Sequence, residues 1–140
     1  MPNSGTSAPP AKTIRLIHAS LIVGVVLFGL VTHFVPAPEP TSATMLPDAL
    51  VKALPVVTVA ACALVFFLRR MVPRRAPDDS ADLFWSRATV PAMTMWAPLE
   101  GVCLLDVLVY WRNGSQTALV LAILAVALFV FLSPASLERR

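Results

Sequence analysis

The sequence predicts an all-α membrane protein with four transmembrane helices, arranged as two antiparallel hairpins. Three observations favour this fold class. The 140 residues are 57% hydrophobic and 14% charged, with a mean hydropathy of +0.76, which is too apolar for a soluble domain of this length. The apolar residues fall into four blocks. Each block is long enough to cross a hydrocarbon core of about 30 Å as a helix, and lipid favours helices because it offers no partner to free backbone groups.

Segments rich in proline and charge separate the four blocks. We predict helices over residues 14–35, 49–68, 88–111 and 117–133. The first helix is expected to stop at the run PAPEP, since proline cannot continue a helix, and the second at Arg69–Arg70. An Asn-Gly-Ser turn is expected to join the third and fourth helices as a hairpin. Residues 13–140 then form one domain after a disordered, Pro-rich cytoplasmic tail over residues 1–12.

A faint internal repeat relates the two predicted hairpins. The run LIVGVVLFGLVTHF, from Leu21, aligns with PLEGVCLLDVLVYW, from Pro98. The run ALPVVTVAACALVFFL, from Ala53, aligns with ALVLAILAVALFVFL, from Ala118. Apolar helices also align by chance, so a tandem duplication and a chance likeness both remain open.

The basic residues predict the orientation. Nine Lys or Arg residues lie at or just before the start of the first helix, around the middle loop or at the end of the sequence, whereas the opposite loops hold only Arg112. Lys52 is set aside because it lies within a helix. The positive-inside rule then predicts a multi-pass protein of the bacterial inner membrane, with both termini cytoplasmic and residues 36–47 outside. A cleaved signal peptide is the alternative for the first helix, but its apolar run is longer than the usual 7–15 residues.

Small residues one helical turn apart are typical of membrane helices that approach closely. Ser20 and Gly24 form one such pair in the first predicted helix, and Ala97 and Gly101 form another in the third. We expect these residues to pack helices together. Contacts within one chain and contacts between subunits are both open.

Ionisable residues within the apolar blocks are candidate site residues. A rise of 1.5 Å per residue places His33, Lys52 and Asp106 about 26–28 Å from the basic residues of their own helices. This common depth predicts an outer polar layer in which Asp106 pairs with Lys52, with His33 nearby. The layer is either a structural contact or the entry site of an ion or substrate.

Glu100 is the candidate functional acid within the membrane. It lies about 20 Å from Arg87, near the bilayer midplane, and no basic residue shares its depth. Three interpretations follow for this carboxyl group: proton or cation handling, contact with another subunit, or a structural acid that is satisfied locally.

The sequence contains no motif that predicts catalysis, and no metal or cofactor is expected. It has no nucleophile triad, phosphate-binding loop or zinc-ligand spacing, and its basic residues lie at helix ends instead of forming a nucleic-acid-binding face. Haem or another tetrapyrrole, bound through His18 or His33, is an alternative. The two histidines lie at opposite ends of the first helix, so each would need a second axial ligand from elsewhere.

The stretch PLEGVCLLDVLVYWRNGS, with its Leu-Glu-Gly in the third helix, resembles a group of small bacterial four-helix membrane proteins that have no assigned activity. The sequence thus favours a non-enzymatic membrane subunit or accessory protein that contacts lipid and other membrane subunits, or itself. The first alternative is a proton- or cation-coupled carrier or channel that acts as an oligomer through Glu100. The second is a haem-binding membrane anchor.

Overall fold

The computed structural model describes residues 11–37, 39 and 46–139, and this part of the chain is helical without strands. The all-α prediction is therefore confirmed. The elements are α1 (Ala11–Phe34), α2 (Asp48–Leu68) with a 3₁₀ turn (Arg69–Met71), α3 (Ala81–Asn113), α4 (Gln116–Phe131) and the short α5 (Pro134–Glu138).

Three of these helices are long and apolar enough to cross a membrane: α1, α2 with its 3₁₀ extension, and α3. The fourth predicted span is shorter. Helix α4 is apolar after Gln116 and Thr117 but has 16 residues, which gives about 24 Å against a hydrocarbon core of about 30 Å. The chain therefore has the helices of a multi-pass membrane protein, with α4 as the exception in length.

The bounds of α3 and α4 differ from the prediction. Helix α3 starts at Ala81, seven residues before the apolar block, because Ser80 caps it: the Ser80 Oγ accepts a hydrogen bond of 3.1 Å from the Leu83 N–H. Helix α4 ends at Phe131 instead of residue 133, because Pro134 disfavours a helical conformation at the residue before it.

Helix α3 is the centre of the bundle and packs against α1, α2 and α4. Helix α1 runs parallel to α3, whereas α2 and α4 run antiparallel to it. The predicted α3–α4 hairpin is confirmed: Gly114 adopts φ 64°, and its N–H donates 2.8 Å to the Tyr110 carbonyl. Helices α1 and α2 pack mainly against α3 and α4 and little against each other. They therefore flank the α3–α4 hairpin and do not pack together as a hairpin of their own.

The bundle has two different ends. At the basic end lie the starts of α1 and α3, the end of α2 and helix α5. At the far end, the Trp111 Nε1–H donates 3.1 Å to the Val35 carbonyl, and the Asn113 side chain donates 3.4 Å to the Leu46 carbonyl. Both ends of the described chain, Ala11 and Arg139, therefore lie at the basic end, which agrees with termini on one side of a membrane.

Parts of the predicted tail and loop lie outside the described residues: 1–10 of the tail, and 38 and 40–45 of the loop. The last two residues of the predicted tail, Ala11 and Lys12, are helical and begin α1. The Ala11 N–H donates 2.8 Å to Asp82 Oδ1, which fixes the start of α1 against the first turn of α3.

The core changes character along the bundle. Towards the basic end it is large and aromatic, and its fully buried bulky side chains include Phe84, Trp85, Trp96 and Phe129. Towards the far end it is built from smaller groups such as Cys103, Ala118 and Ala125, together with the carboxyl group of Asp106. The far-end half is thus where the chain places its buried acid.

Candidate functional site

Asp106 is fully buried, at 0% exposure, where α3 crosses α2. Its partner is Thr58 of α2, which is also buried. The Thr58 hydroxyl lies 3.0 Å from Asp106 Oδ1 and 3.3 Å from Oδ2 and donates its hydrogen to this carboxyl group. A single hydroxyl therefore links the carboxyl group to the neighbouring helix.

The predicted outer polar layer is wrong. Lys52 is exposed and makes no ion pair with Asp106, and His33 is exposed on another side of the bundle. Lys52 precedes Thr58 by six residues, which is about 9 Å along α2 and about 240° around it. The prediction of a shared layer rests only on depth along the helices. The rotation around α2 between Lys52 and Thr58 directs the Lys52 side chain away from α3.

Asp106 has no cationic partner within the described part of the chain, where the ion pairs are Arg15–Glu138 and Arg87–Asp79, both at the basic end. A carboxyl group buried in an apolar bundle needs its hydrogen bonds, because each lost one leaves a desolvated polar atom. The Thr58 contact is thus the interaction that makes burial of this acid tolerable.

Glu100 is half-buried on α3 and forms neither a hydrogen bond nor an ion pair with any described residue. It lies seven residues before Val107, and two turns of a helix bring a side chain back to nearly the same direction. Val107 packs near Gly29 of α1, so Glu100 lies on the edge of α3 that faces α1. No described residue in this part of the bundle therefore pairs with the Glu100 carboxyl group in a way that would give it a local structural role.

The four predicted helix-packing residues are all exposed. A methyl group placed at Gly24 or Gly101 would meet no heavy atom from another part of the described bundle within 4 Å. Of the two alternatives, packing within one chain has no contact to support it at Gly24 or Gly101 in the described bundle. Contact between subunits stays a prediction.

These exposed residues nevertheless lie at about the same depth along the bundle as Glu100. Helices α1 and α3 are parallel neighbours, and His18 lies level with Trp96, so residues 20–24 of α1 lie level with about residues 98–102 of α3. We define the small-residue patch as Ser20, Gly24, Ala97 and Gly101.

The patch faces away from α4. Val26 lines a groove beside α4, and Gly24 lies about 200° around α1 from Val26. On α3, Ala97 and Gly101 belong to the stripe that α1, α2 and α4 leave uncovered. Glu100 therefore lies at the edge of an open, flat face.

His18 has a structural role that the sequence did not predict. Its buried ring lies between Trp96, at a centroid distance of 4.6 Å, and Phe129, at 5.1 Å. The His18 Nε2–H donates 3.2 Å to the Phe129 carbonyl, and the Trp96 Nε1–H donates 3.0 Å to the Leu132 carbonyl. The last carbonyls of a helix lack partners within it, so His18 and Trp96 satisfy the buried end of α4.

This geometry does not fit a haem ligated by both histidines of one chain. The Nε2 of His18 is directed at a carbonyl, and aromatic rings enclose the imidazole. His33 lies at the far end of the same helix, so the two imidazoles cannot ligate one iron from both sides. Within the described ranges, no group of three or more His, Cys, Asp or Glu side chains is arranged to hold a metal ion.

Glu138 joins three elements at the basic end. Its carboxylate accepts 2.7 Å hydrogen bonds from Arg15 of α1 and from the Trp85 Nε1–H of α3. Burial raises the pKa of Glu138, but the hydrogen bonds from Trp85 and Arg15 and the charges of Arg15 and Arg75 lower it more, so the net shift is downward. The sequence signal for this contact was the presence of opposite charges at the same predicted end.

A second polar contact orders the loop before α3. Asp79 accepts a hydrogen bond from the Ala76 N–H and pairs with Arg87, and these contacts lower the pKa of Asp79. The Arg75 guanidinium in turn donates to the Asp79 carbonyl at 2.9 Å. The basic end is therefore held by contacts that involve several of the arginines used to predict orientation.

Comparisons of this chain with known protein families, with curated proteins and with solved structures find no match.

Proposed function

We propose that this protein is a non-enzymatic subunit or accessory protein of a membrane complex in the bacterial inner membrane. In this proposal α4 is a fourth, short spanning helix, and the basic end lies in the cytoplasm. The three long apolar helices and the Arg-rich end support the orientation, because Lys and Arg accumulate on the cytoplasmic side.

The observation that carries the proposal is the position of Glu100 within the small-residue patch. Small side chains let a second helix approach the backbone closely, which in lipid is a main source of helix association. A half-buried carboxyl group without a partner is costly at membrane depth, and a donor on a neighbouring helix would remove that cost. Both features favour a protein helix on this face instead of lipid alone.

The short connection at the basic end directs the proposal to the helices themselves. Between α2 and α3 the described chain forms a 3₁₀ turn and a short loop. We therefore place partner contact within the membrane, on α1 and α3.

The experiment compares two substitutions on opposite faces. Gly101 lies in the patch and Ala127 on the exposed face of α4, and each is replaced by isoleucine. We expect Gly101→Ile to lose the proteins that co-purify with the tagged chain in mild detergent, because the branched side chain blocks close approach. Ala127→Ile should retain them, and both variants should melt like the parent.

Equal co-purification with both variants would contradict the proposal. A tagged chain that purifies only with copies of itself, and that shows proton or cation flux lost in Glu100→Gln, would favour the carrier instead. In that case the patch would be a contact between identical subunits.

A further inference from the structure

An apolar groove opens between α1 and α4 in the far-end half of the bundle. Its cavity volume is about 440 Å³, within the range of small-molecule sites. Val107 of α3 forms part of its floor, while Leu30 and Ile123 form part of its walls. Gly29 and Ala122 have small side chains here, and this keeps the groove open between the two helices.

A polar mouth adjoins the groove at the far end. A second cavity of about 270 Å³ shares His33 and Tyr110 with the groove and is also lined by Trp111 and Gln116. The Trp111 Nε1–H is already used, since it donates to the Val35 carbonyl. His33 and Tyr110 make no hydrogen bond with any residue in the described ranges, so their N–H and O–H groups are available to a ligand.

The apolar groove and the polar mouth follow one another along the bundle, as the apolar tail and the polar head of an amphiphile do across one leaflet of a bilayer. The groove takes an apolar chain, and the mouth offers hydrogen-bond donors from two helices, His33 of α1 and Tyr110 of α3. None of the described residues that line either cavity is a Lys or Arg. A phosphate headgroup favours such cations, so the lining suits a neutral head that accepts hydrogen bonds.

We propose that this groove and its mouth bind an isoprenoid quinone. The prenyl tail lies in the groove against Val107 and Ile123, and the ring lies in the mouth. There the His33 N–H and the Tyr110 O–H donate to its carbonyl oxygens. The inference concerns binding only and involves neither the small-residue patch nor Glu100.

The test uses the full-length chain in detergent with decylubiquinone as the ligand. Trp111 lines the mouth, whereas Trp85 and Trp96 are buried towards the basic end, so quenching of tryptophan emission should report binding. We expect saturable quenching. His33→Ala and Tyr110→Phe should each weaken binding roughly two- to tenfold, the effect of one lost hydrogen bond.

One substitution in the groove and one outside it test the groove itself. Gly29 lines the groove, and Ala127 on the exposed face of α4 does not. Gly29→Leu should fill the groove and abolish saturable quenching, whereas Ala127→Leu should bind like the parent. If Gly29→Leu does not fold, Val26→Phe at an exposed lining position should weaken binding in the same way.

Two results would overturn the assignment. Linear, unsaturable quenching that is equal in the parent and in the groove variants would mean that the quinone only partitions into detergent. Displacement of the quinone by an equal concentration of phosphatidylcholine would mean that the groove accepts any lipid chain without selecting a quinone head.

Discussion

At the scale of single residues, the hydrogen bond between Thr58 and Asp106 is the contact that a single substitution tests most directly. Thr58→Val keeps the shape of the side chain but removes the hydroxyl that donates to the buried carboxyl group. We expect a loss of about 1–3 kcal/mol in the free energy of unfolding, since a desolvated acceptor remains. Denaturant unfolding in detergent measures this loss.

A double-mutant cycle separates this contact from the pair that the sequence predicted. Thr58→Val and Asp106→Leu should be non-additive, with a coupling of about 0.5–3 kcal/mol, because each removes one partner of the hydrogen bond. Lys52→Ala should change stability by less than about 0.5 kcal/mol, because its side chain is exposed. Coupling between Lys52 and Asp106 instead would restore the predicted ion pair and contradict the observed contact.

Glu138 predicts how stability depends on pH. Its pKa is lower in the folded than in the unfolded chain, so its contribution is fully present above the ordinary glutamate pKa and is lost as pH falls through the folded value. Melting temperatures should therefore drop as the pH falls below the ordinary glutamate pKa. Glu138→Gln should flatten this drop in part, since Asp79 also has a lowered pKa. An unchanged pH profile in this variant would mean that the Arg15 and Trp85 contacts do not form in solution.

Which residues are unusual could be predicted from the sequence, but not what they contact. Asp106 and Glu100 are conspicuous because each interrupts an apolar block, and both lie in α3 as expected. Their surroundings depend on the rotation of each helix, which hydropathy does not encode when a helix is apolar on all sides. Asp106 consequently meets Thr58, and Glu100 meets no described partner.

At the scale of elements, the end of α4 is the least conventional feature. This helix stops inside the bundle, where water cannot satisfy its carbonyls, and Trp96 and His18 supply the missing donors. Trp96→Phe keeps much of the aromatic packing but loses one donor. We expect it to destabilise the fold by about 1–3 kcal/mol, as judged by thermal melting.

The control for this substitution is the other histidine of α1. His33→Ala changes an exposed side chain at the far end and should leave the melting temperature close to that of the parent. Equal stability of Trp96→Phe and the parent would mean that the carbonyls of α4 find other partners.

The observed starts and ends of the helices show where counting apolar residues no longer predicts helix boundaries. Counting apolar residues starts the third helix after Arg87, yet α3 begins at Ala81 because Ser80 caps it and because Phe84 and Trp85 are buried against other elements. The Asn-Gly-Ser turn was predictable, since glycine at φ 64° is what a helix end of this kind requires. The burial of the C-terminal end of α4 was not predictable, because it depends on His18 and Trp96, which are far from this end in the sequence.

At the scale of the whole molecule, charge predicts the orientation. Cysteines introduced at Thr44 and Ser80 test it by labelling in intact cells with a membrane-impermeant reagent. We expect the cysteine at Thr44 to react and the one at Ser80 to react only after the cells are opened, because Ser80 lies at the basic end. The reverse pattern would place the basic end outside.

Sequence reasoning located the small-residue patch but left open whether it packs helices within one chain or contacts another subunit. The small residues were found by their spacing. Whether they face inward or outward depends on which neighbours cover α3, and the structure leaves this stripe of α3 uncovered. Spacing identifies a possible contact surface, whereas packing decides which molecule can occupy it.

The most direct test of the partner face is site-specific photo-crosslinking in native membranes. A photoreactive amino acid replaces either Ala97, beside Glu100, or Ala127, on the exposed face of α4. We predict one discrete crosslinked product from Ala97 that disappears when Glu100→Leu is added and persists with Glu100→Gln, while Ala127 yields none. Crosslinking of Ala97 and Ala127 to the same extent, or a product from Ala97 that is insensitive to Glu100→Leu, would contradict a partner interface built on α1 and α3.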